Sequence, residues 1–599
     1  MRTGIATVSI SGVLHDKLDA ISAAGFDTIE IFDNDLVASP MSPRTVAARC
    51  EDLGLEIALF QPVRDVEGVP PDRFDDVLHR FRAKLDVMSE LGVDTVLACS
   101  NASPEAVDDL DLTAEQLHRV GQLAGEYGVT VAYEALAWGR HVDRVGQSWE
   151  AVQRADHPAV TLAVDTFHML ARGDHGAALA GIPGDRIGFL QVADAPLLDM
   201  NLLEWSRHFR CFPGQGTLDV TGVVAATLRA GYDGPVSLEV FSDVVREADP
   251  SVTARDAMRS LVFLEDQLAQ VVPSTGADGP RPLPPAASST SAAFLEIAEP
   301  GGGSETTELL RALGFVEAGR HRSKPVSWWR QGGAHVVVNE DVGAGAATAL
   351  GVSATPADAV AARSGALLYP AVSTTRGTGE AVLPGISSPA GLHVFVSDLP
   401  GASDHWQGDF DPTSETDVGT WQGLDHVALS VLPHQLNQEV AFFRTLFGLQ
   451  PGAREEFMDP HGRLRSLALR APQGELRIVL NVTEAPDLAS HPLGVTQVAF
   501  ACDDVAASVR ELRSRGVSLM PVPDNYYADL AARFRLEPDR LNELREHQLM
   551  FDRVGRGELL HAYTDVLDPG FYVEILERRG GYDGYGSANT FVRLAAQAR

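Results

Sequence analysis

Over the first 270 residues, short apolar runs rich in β-branched side chains alternate with longer segments of helical periodicity. The runs begin near residues 4, 27, 55, 94, 129, 160, 187 and 235, and are GIATVSI, DTIEIF, LEIALFQP, DTVLACS, VTVAYEAL, VTLAVDTFH, IGFLQVAD and PVSLEVF. Successive runs are far enough apart for a crossover helix, which predicts parallel strands and an α/β fold. Eight strands in about 240 residues favour a closed (β/α)8 TIM barrel, with an open doubly wound sheet as the alternative.

The alternation stops at residues 271–291, where Pro, Gly, Ser and Ala replace the apolar period. This composition predicts a semi-rigid linker between two domains, residues 1–270 and 292–599. After the linker, residues 292–400 and 421–599 each begin with a strand and a helix and end in several strands. This repetition predicts an α+β domain of duplicated βαβββ modules, whose curved sheets each need a partner module.

Composition and charge exclude several classes of function. The 599-residue chain is 45% hydrophobic and 22% charged, and contains no apolar run long enough to span a membrane. Its 48 basic and 82 acidic side chains give 48 − 82 = −34, a charge that repels nucleic acid and anionic lipid. A small anionic substrate therefore requires a locally basic pocket.

The N-terminus and the cysteines bear on the compartment. The first residues, MRTGIATVSISG, show no basic region followed by an apolar stretch and a cleavage site. The four cysteines, Cys50, Cys99, Cys211 and Cys502, form no CxxC pair, which argues against disulfides and zinc–thiolate sites. We therefore expect a cytoplasmic protein.

Four polar residues lie at the ends of predicted strands five to eight: Glu134, Asp165, Gln191 and Glu239. A barrel carries its chemistry at the C-terminal ends of its strands. Three converging carboxylates in apolar surroundings would repel one another unless a cation compensated them. Carboxylate and amide oxygens suit Mg²⁺, Mn²⁺ or Co²⁺, so the pattern predicts a divalent metal site. The alternative for each residue is helix capping or pairing with an arginine.

Several residues near these strand ends are candidates for proton transfer and substrate binding. His168 is the favoured general base because an imidazole titrates near neutral pH, although hydrogen bonding to substrate or to a loop is an equal alternative. His141 is the second candidate, and Glu134 or Glu239 could double as acid or base. The candidates for substrate binding are Arg210, Arg64 and Ser206. Either arginine could bind the substrate carboxylate through its guanidinium, and an ordinary surface or ion-pair role is the alternative.

The first half resembles a known family. The strand-end pattern, DTFH at 165–168 and FPGQGTLD at 212–219 are similar to the xylose-isomerase-like barrels. Three segments of the second half, LDHVALSV at 424–431, VPDNYYADL at 522–530 and FYVEILERRGGYDGYGSANTF at 571–591, resemble the C-terminal part of 4-hydroxyphenylpyruvate dioxygenases, in the vicinal-oxygen-chelate superfamily. Nearly the whole chain resembles the fused bacterial 3-dehydroshikimate dehydratases.

That resemblance implies a hydro-lyase that converts 3-dehydroshikimate to protocatechuate and water through a metal-chelated enediolate, in quinate and shikimate catabolism. Two alternatives stay open. A sugar or sugar-acid isomerase or epimerase would form the same enediolate and reprotonate it. An oxidoreductase would instead use the second half as a dioxygenase.

The resemblance also implies a second metal site. His426 and Glu574 match a histidine and the glutamate that hold Fe²⁺ in the dioxygenases, whereas Gln497 stands where the second histidine belongs. An amide oxygen is a weaker and harder donor than imidazole, which favours a non-redox metal. We therefore expect a metal-capable domain without dioxygenase activity, used for homo-oligomer assembly or for another activity. A wholly structural role for these residues is the alternative.

Overall fold

The computed structural model describes residues 1–272, 279–299, 305–341, 347–374, 376–401, 405–414, 419–459, 462–472, 475–483, 493–567 and 571–598. The chain divides into two compact units, Met1–Leu283 and Pro284–Arg599. Within the described ranges, no helix has the length and apolar character required to cross a bilayer.

Eight parallel strands close the first unit into a barrel in the order β1 to β8, which confirms the predicted (β/α)8 fold. The strands are β1 (Thr3–Ala6), β2 (Thr28–Phe32), β3 (Glu56–Val63), β4 (Thr95–Cys99), β5 (Thr130–Glu134), β6 (Val160–Asp165), β7 (Ile187–Val192) and β8 (Val236–Leu238). The helices are α1 (Leu14–Ala24), α2 (Asp33–Ala38), α3 (Pro43–Asp52), α4 (Phe74–Leu91), α5 (Leu110–Glu126), α6 (Val145–Ala155), α7 (Thr166–Ala171), α8 (Leu202–His208), α9 (Val220–Arg229), α10 (Asp243–Arg246) and α11 (Pro250–Val271).

Burial explains why these segments take their form. All six residues of β6 are buried, as expected for a strand with side chains in the barrel interior on one face and under helices on the other. In α4, the buried residues Phe74, Val77, Phe81, Leu85 and Met88 recur every three or four positions and form one apolar stripe. The strand ends are thereby fixed by apolar packing, and polar groups at those ends share one mouth.

Two curved sheets form the second unit. The strands of the first sheet lie in the order β14-β15-β16-β13-β9-β12-β11-β10-β17, and those of the second in the order β19-β20-β21-β18-β22-β25-β24-β23. The strands are β9 (Ser289–Ala298), β10 (Val316–His321), β11 (Val326–Gln331), β12 (Ala334–Asn339), β13 (Ala347–Thr355), β14 (Ala371–Val372), β15 (Gly385–Ser387), β16 (His393–Ser397), β17 (Phe410–Pro412), β18 (Trp421–Val431), β19 (Gln450–Asp459), β20 (Gly462–Arg470), β21 (Arg477–Thr483), β22 (Gly494–Cys502), β23 (Met550–Val554), β24 (Gly557–Tyr563) and β25 (Tyr572–Arg579). The helices are α12 (Glu305–Ala312), α13 (Ala357–Ala366), α14 (Leu436–Phe447), α15 (Val505–Ser514), α16 (Asp524–Phe534), α17 (Pro538–His547) and α18 (Thr590–Gln597).

The predicted βαβββ duplication is present in both sheets. Each sheet contains two modules that begin with a strand and a helix and include three further strands, starting at β9, β13, β18 and β22. The module that starts at β22 has two additional helices, α16 and α17, before its further strands. The strands β9 and β13 pair antiparallel at the centre of one sheet, as β18 and β22 do in the other. Strand β9 begins at Ser289, so the last three residues of the predicted linker belong to the sheet, and residues 273–278 lie outside the described ranges.

Candidate functional site

The structure brings the four predicted metal ligands of the barrel to one mouth. Glu134 and Asp165 end β5 and β6, and Gln191 is the residue opposite Asp165 in the neighbouring strand β7. Glu239 follows β8 directly. All four side chains are buried. Ligand atoms of Glu134, Asp165 and His168 lie within 4.8 Å of one another.

Two oxygen atoms of this cluster indicate a cation. Among the described residues, Glu134 Oε1 and Gln191 Oε1 are buried and have no hydrogen-bond partner. The Gln191 amide is oriented because its Nε2 donates to Glu30 Oε2 at 2.7 Å, which leaves Oε1 for another partner. Buried acceptors without a partner are costly. A hard divalent ion would satisfy both oxygens, so the residues present fit the predicted metal.

Arg210 supplies part of the compensating charge. Its Nη1 donates to Asp165 Oδ2 at 2.9 Å and to Glu239 Oε2 at 3.0 Å. Its Nε and Nη2 donate to Ser206 Oγ at 3.1 and 2.8 Å. Arg210 is 1% exposed, so its guanidinium pairs with protein groups, and its predicted contact with a substrate carboxylate stays a prediction.

One arginine does not neutralise the cluster. With Glu134, Asp165 and Glu239 ionised, the sum with Arg210 is −3 + 1 = −2. Burial, together with Asp165 and Glu239, raises the pKa of Glu134 well above its usual value. Burial also raises the pKa of Glu239, whereas Arg210 overcomes the effect of burial and lowers the pKa of Asp165. A divalent cation would supply the missing charge.

His168 faces the same cluster through Nε2. That atom lies 3.8 Å from Glu134 Oε1, and burial lowers the pKa of His168 to about 3, which keeps the ring neutral. The backbone N–H of Ala137 donates to Nδ1 at 3.0 Å, and Arg210 Nη2 lies 3.1 Å from Nε2. A neutral imidazole has one unprotonated nitrogen, so it can accept from only one of these two donors.

The structure does not bring His141 into this cluster. Its Nε2 lies 3.1 Å from the carbonyl oxygen of Ala106, and its Nδ1 lies 3.4 Å from Asp108 Oδ1. Both ring nitrogens therefore contact the segment after β4. The assignment of His168 or His141 as general base stays a prediction.

A cavity of about 800 Å³ lies at the carboxyl ends of β2, β3 and β8, and is lined by Phe32, Val63 and Phe241 among others. Five cationic side chains line it: Arg64, Arg80, Lys84, Arg207 and Arg246. Lys84 is paired with Asp33 at 2.7 Å. The guanidinium groups of the four arginines make no ion pair or hydrogen bond with any residue that the structure describes, and that of Arg246 lies over the Phe241 ring at 5.8 Å. The basic pocket required by an anionic substrate is therefore present in this acidic chain.

The predicted ligands of the second site also converge. His426 Nε2 lies 3.3 Å from Glu574 Oε2 and 3.2 Å from Gln497 Nε2. The Tyr572 hydroxyl donates to Gln497 Oε1 at 2.8 Å. A half-turn of the amide would present Oε1 to a metal, and the Tyr572 oxygen could then accept from Nε2. The three side chains are buried and fit a hard metal ion.

Neighbouring residues orient these side chains. His426 Nδ1 donates to Asp425 Oδ1 at 2.8 Å, which leaves the lone pair on Nε2, the atom that faces Gln497 and Glu574. Arg578 Nε and Nη2 each donate to Asp425 at 2.8 Å. Burial would raise the pKa of Glu574, but the His426 and His561 rings beside its carboxylate hold that pKa below its usual range.

Among the supporting residues that the sequence did not indicate, Glu30 and His561 each contact a predicted ligand directly. Glu30, on β2, accepts from Gln191 and from Gln61 Nε2 at 2.8 Å. His561, on β24, lies with Nδ1 2.6 Å from Glu574 Oε1, and Asn589 Nδ2 lies 2.9 Å from its other nitrogen. A charged or polar residue inside an apolar strand was the available signal in both cases.

Comparisons with known proteins agree with this architecture. Residues 18–264 match the family model "Xylose isomerase-like TIM barrel". Residues 287–367 match "Hydroxyphenylpyruvate dioxygenase, HPPD, N-terminal", and residues 423–542 match "Glyoxalase/Bleomycin resistance protein/Dioxygenase superfamily". A solved xylose isomerase-like TIM barrel/4-hydroxyphenylpyruvate dioxygenase fusion protein superposes with a TM-score of 0.91 at 40% identity, covering 100% of both chains.

Two curated relatives extend over the full length. The 3-dehydroshikimate dehydratase of Pseudomonas putida is 42% identical, and the alignment covers 100% of this chain and 98% of that protein. The 3-dehydroshikimate dehydratase of Pseudomonas aeruginosa is 41% identical with the same coverage. The chain therefore belongs to the family of 3-dehydroshikimate dehydratases in which a xylose-isomerase-like barrel and a 4-hydroxyphenylpyruvate-dioxygenase-like half form one polypeptide.

Proposed function

We propose that the barrel is a hydro-lyase that converts 3-dehydroshikimate to protocatechuate and water, a step of quinate and shikimate catabolism. The observation that carries the proposal is the juxtaposition of an arginine-lined cavity with a buried oxygen-donor cluster at one barrel mouth. A substrate with a carboxylate and vicinal oxygens matches that combination. The full-length relatives named for this reaction support it.

The donor set of Glu134, Asp165, Gln191 and Glu239 would hold Mg²⁺, Mn²⁺ or Co²⁺. Such an ion acts as a Lewis acid toward a ketone and the adjacent hydroxyl of the substrate. Arg210 holds two of the ligands, Asp165 and Glu239, in place through Nη1, and Ser206 holds the guanidinium. These contacts fix the ligands before substrate arrives.

The remaining residues bind the substrate and move protons. Arg64 lies exposed in the cavity wall beyond β3, where its guanidinium can pair with the substrate carboxylate. The proton at C4 is acidified by the C3 ketone, and its removal allows the C5 hydroxyl to leave as water. His168 takes the C4 proton at Nε2, which requires the ring N–H to be at Nδ1 and the Ala137 contact there to give way, and the imidazolium so formed gives that proton to the leaving hydroxyl. A final proton shift makes the ring aromatic, which renders the reaction irreversible.

The test follows the absorbance of protocatechuate when metal-reconstituted protein is mixed with 3-dehydroshikimate. We expect Glu134→Ala to lower the rate at least about 100-fold, beyond the effect of losing a residue that only supports a ligand. His426→Ala is the matched control in the second unit and should retain the rate. If the wild-type chain forms no protocatechuate, the isomerase alternative replaces this proposal. Equal loss in both variants would move the chemistry out of the barrel.

We further propose that His426, Gln497 and Glu574 hold a second, non-redox metal, and that the second unit joins chains into a homo-oligomer. A glutamine in place of a second histidine supports the choice of a hard ion. We also propose that the protein is cytoplasmic: its four cysteines, all within the described residues, are buried and form no disulfide, as is usual in a reducing compartment. Gel filtration coupled to light scattering measures the oligomeric state, and a monomer would contradict the assembly role.

A further inference from the structure

A second cavity lies in the second unit, on one face of the sheet that contains β9. Its volume is about 140 Å³, and residues from β9 and β12 line it. Phe294 and Glu296 are two residues apart on β9, and Val337 and Asn339 are two residues apart on β12, so each pair lies on one face of its strand. Val337 is opposite Glu296 in the sheet, so all four side chains lie on the same face.

Glycines shape this face to receive aromatic rings. A Cβ on Gly351 of β13 would lie 2.3 Å from Cε1 of Phe294, and one on Gly385 of β15 would lie 2.8 Å from Cε1 of Phe395. Neither glycine could carry a side chain without displacing a ring that lines the cavity. The aromatic lining therefore depends on the backbone of the sheet as well as on the side chains.

Aromatic rings form the walls. The Trp406 ring centroid lies 4.8 Å from that of Phe294 and 5.9 Å from that of Phe410. Both distances are typical of interacting aromatic pairs. A planar ring placed in the cavity would meet ring faces and edges on several sides.

Three carboxyl groups line the cavity, those of Glu296, Glu380 and Asp409, and Asp409 accepts from the Ala381 backbone N–H at 3.0 Å. Asn339 Nδ2 donates to Glu296 Oε1 at 3.0 Å, and burial raises the pKa of Glu296. Two cations also line it: Lys324 is paired with Glu380 at 2.8 Å, and Arg376 donates to the Ala381 carbonyl oxygen. Glu296 and Asn339 can therefore exchange hydrogen bonds with a neutral hydroxyl group, because a carboxyl oxygen accepts and a protonated carboxyl also donates.

We propose that this cavity binds a single-ring phenol. Its volume matches one six-membered ring, since apolar protein cavities of about 150 Å³ bind benzene. The rings of Phe294, Trp406 and Phe410 would pack on the ligand ring, and Glu296 would bind its hydroxyl. The product proposed for the barrel is a ring of this class, but the inference rests on the cavity alone and stands whether or not the barrel is a dehydratase.

The test measures binding of 4-fluorophenol to the full-length protein by ¹⁹F NMR. This probe has no vicinal hydroxyls, so it does not chelate the metal sites. We expect saturable binding to one site per chain. Glu296→Leu removes the hydrogen bond and should weaken binding about 10-fold. Gly351→Ala displaces the Phe294 ring and should abolish binding.

Two controls keep the test decisive. Glu134→Ala disables the barrel cluster and should bind the probe as the wild type does. The thermal unfolding midpoint of each variant shows whether it folds. If Gly351→Ala does not fold, Glu296→Leu alone tests the site. The proposal is overturned if the wild type shows no saturable binding, if Glu296→Leu binds unchanged, or if Glu134→Ala loses the site.

Discussion

Glu30 acts on the metal cluster through another residue, Gln191. Burial raises the pKa of Glu30 to about 8, and its Oε2 accepts from both Gln191 and Gln61. Because the amide nitrogen of Gln191 is held in this way, its Oε1 faces the cluster without a partner. Glu30 is therefore a positioning residue for a predicted ligand.

Replacing Glu30 with leucine removes the acceptor and frees the Gln191 amide to rotate. We expect the affinity of the barrel for Mn²⁺ to fall about 10- to 100-fold, as is usual when the hydrogen-bond partner of a ligand is lost. Calorimetric titration of metal-free protein measures it. The exposed Glu56, replaced by leucine, is the control and should bind as the wild type does. Unchanged affinity in Glu30→Leu would contradict this role.

The sequence predicted ligands at strand ends better than the residues that support them. Glu134 and Asp165 could be predicted because each ends an apolar run in a barrel pattern. Glu30 lies inside a strand, and its partners are 31 and 161 residues away along the chain, so no local spacing connects them. Arg210 was predicted to bind the substrate carboxylate. Its pairing with Asp165 and Glu239 could not be predicted, because it depends on how strands and loops converge in the folded barrel.

At the scale of elements, the segment between β3 and α4 carries Arg64 and is held by a buried carboxylate. Glu67 accepts from the Asn101 backbone N–H at 2.7 Å, from the Tyr133 hydroxyl at 3.0 Å and from the Thr113 hydroxyl at 3.1 Å. These donors come from the region of β4, β5 and α5, so one side chain ties the segment to three parts of the barrel.

Glu67→Ala removes all three contacts and loosens the segment. We expect KM for 3-dehydroshikimate to rise about 10-fold with a smaller change in kcat, because Arg64 would lose its fixed position but the metal cluster would not. Steady-state kinetics measure both constants. Glu67→Gln retains a side-chain oxygen and should recover most of the affinity. If kcat fell about 10-fold while KM stayed unchanged, Glu67 would instead support the metal site.

Element order was predictable where the period was regular. Eight apolar runs separated by helices specified the barrel, and α12 and α14 fell where their helical patterns indicated. The first sheet of the second unit contains two modules within a block that the sequence presented as one strand–helix unit. The second module begins at β13, ATALGVSAT, whose small residues give a weak strand signal.

At the scale of the whole molecule, the chain joins two units that each carry a buried oxygen-rich donor set. In the barrel the set contains three carboxylates and an amide, whereas the second unit offers His426, Gln497 and Glu574. In each set the ligand atoms are close together: those of Glu134, Asp165 and His168 lie within 4.8 Å of one another, and His426 Nε2 lies 3.3 Å from Glu574 Oε2. The ligands of each set come from a single unit, so we predict that each unit binds its ion independently of the other.

We therefore expect the full-length protein to retain two divalent ions per chain after dialysis against Mn²⁺ and desalting, measured by elemental analysis. Glu134→Ala should lose one ion and keep the second, His426→Ala should do the reverse, and the double variant should lose both. Protocatechuate formation should follow the barrel ion alone, because the arginine-lined cavity belongs to the first unit. A wild-type chain with one ion that only His426→Ala removes would contradict the barrel site, and one ion removed only by Glu134→Ala would make the second set structural.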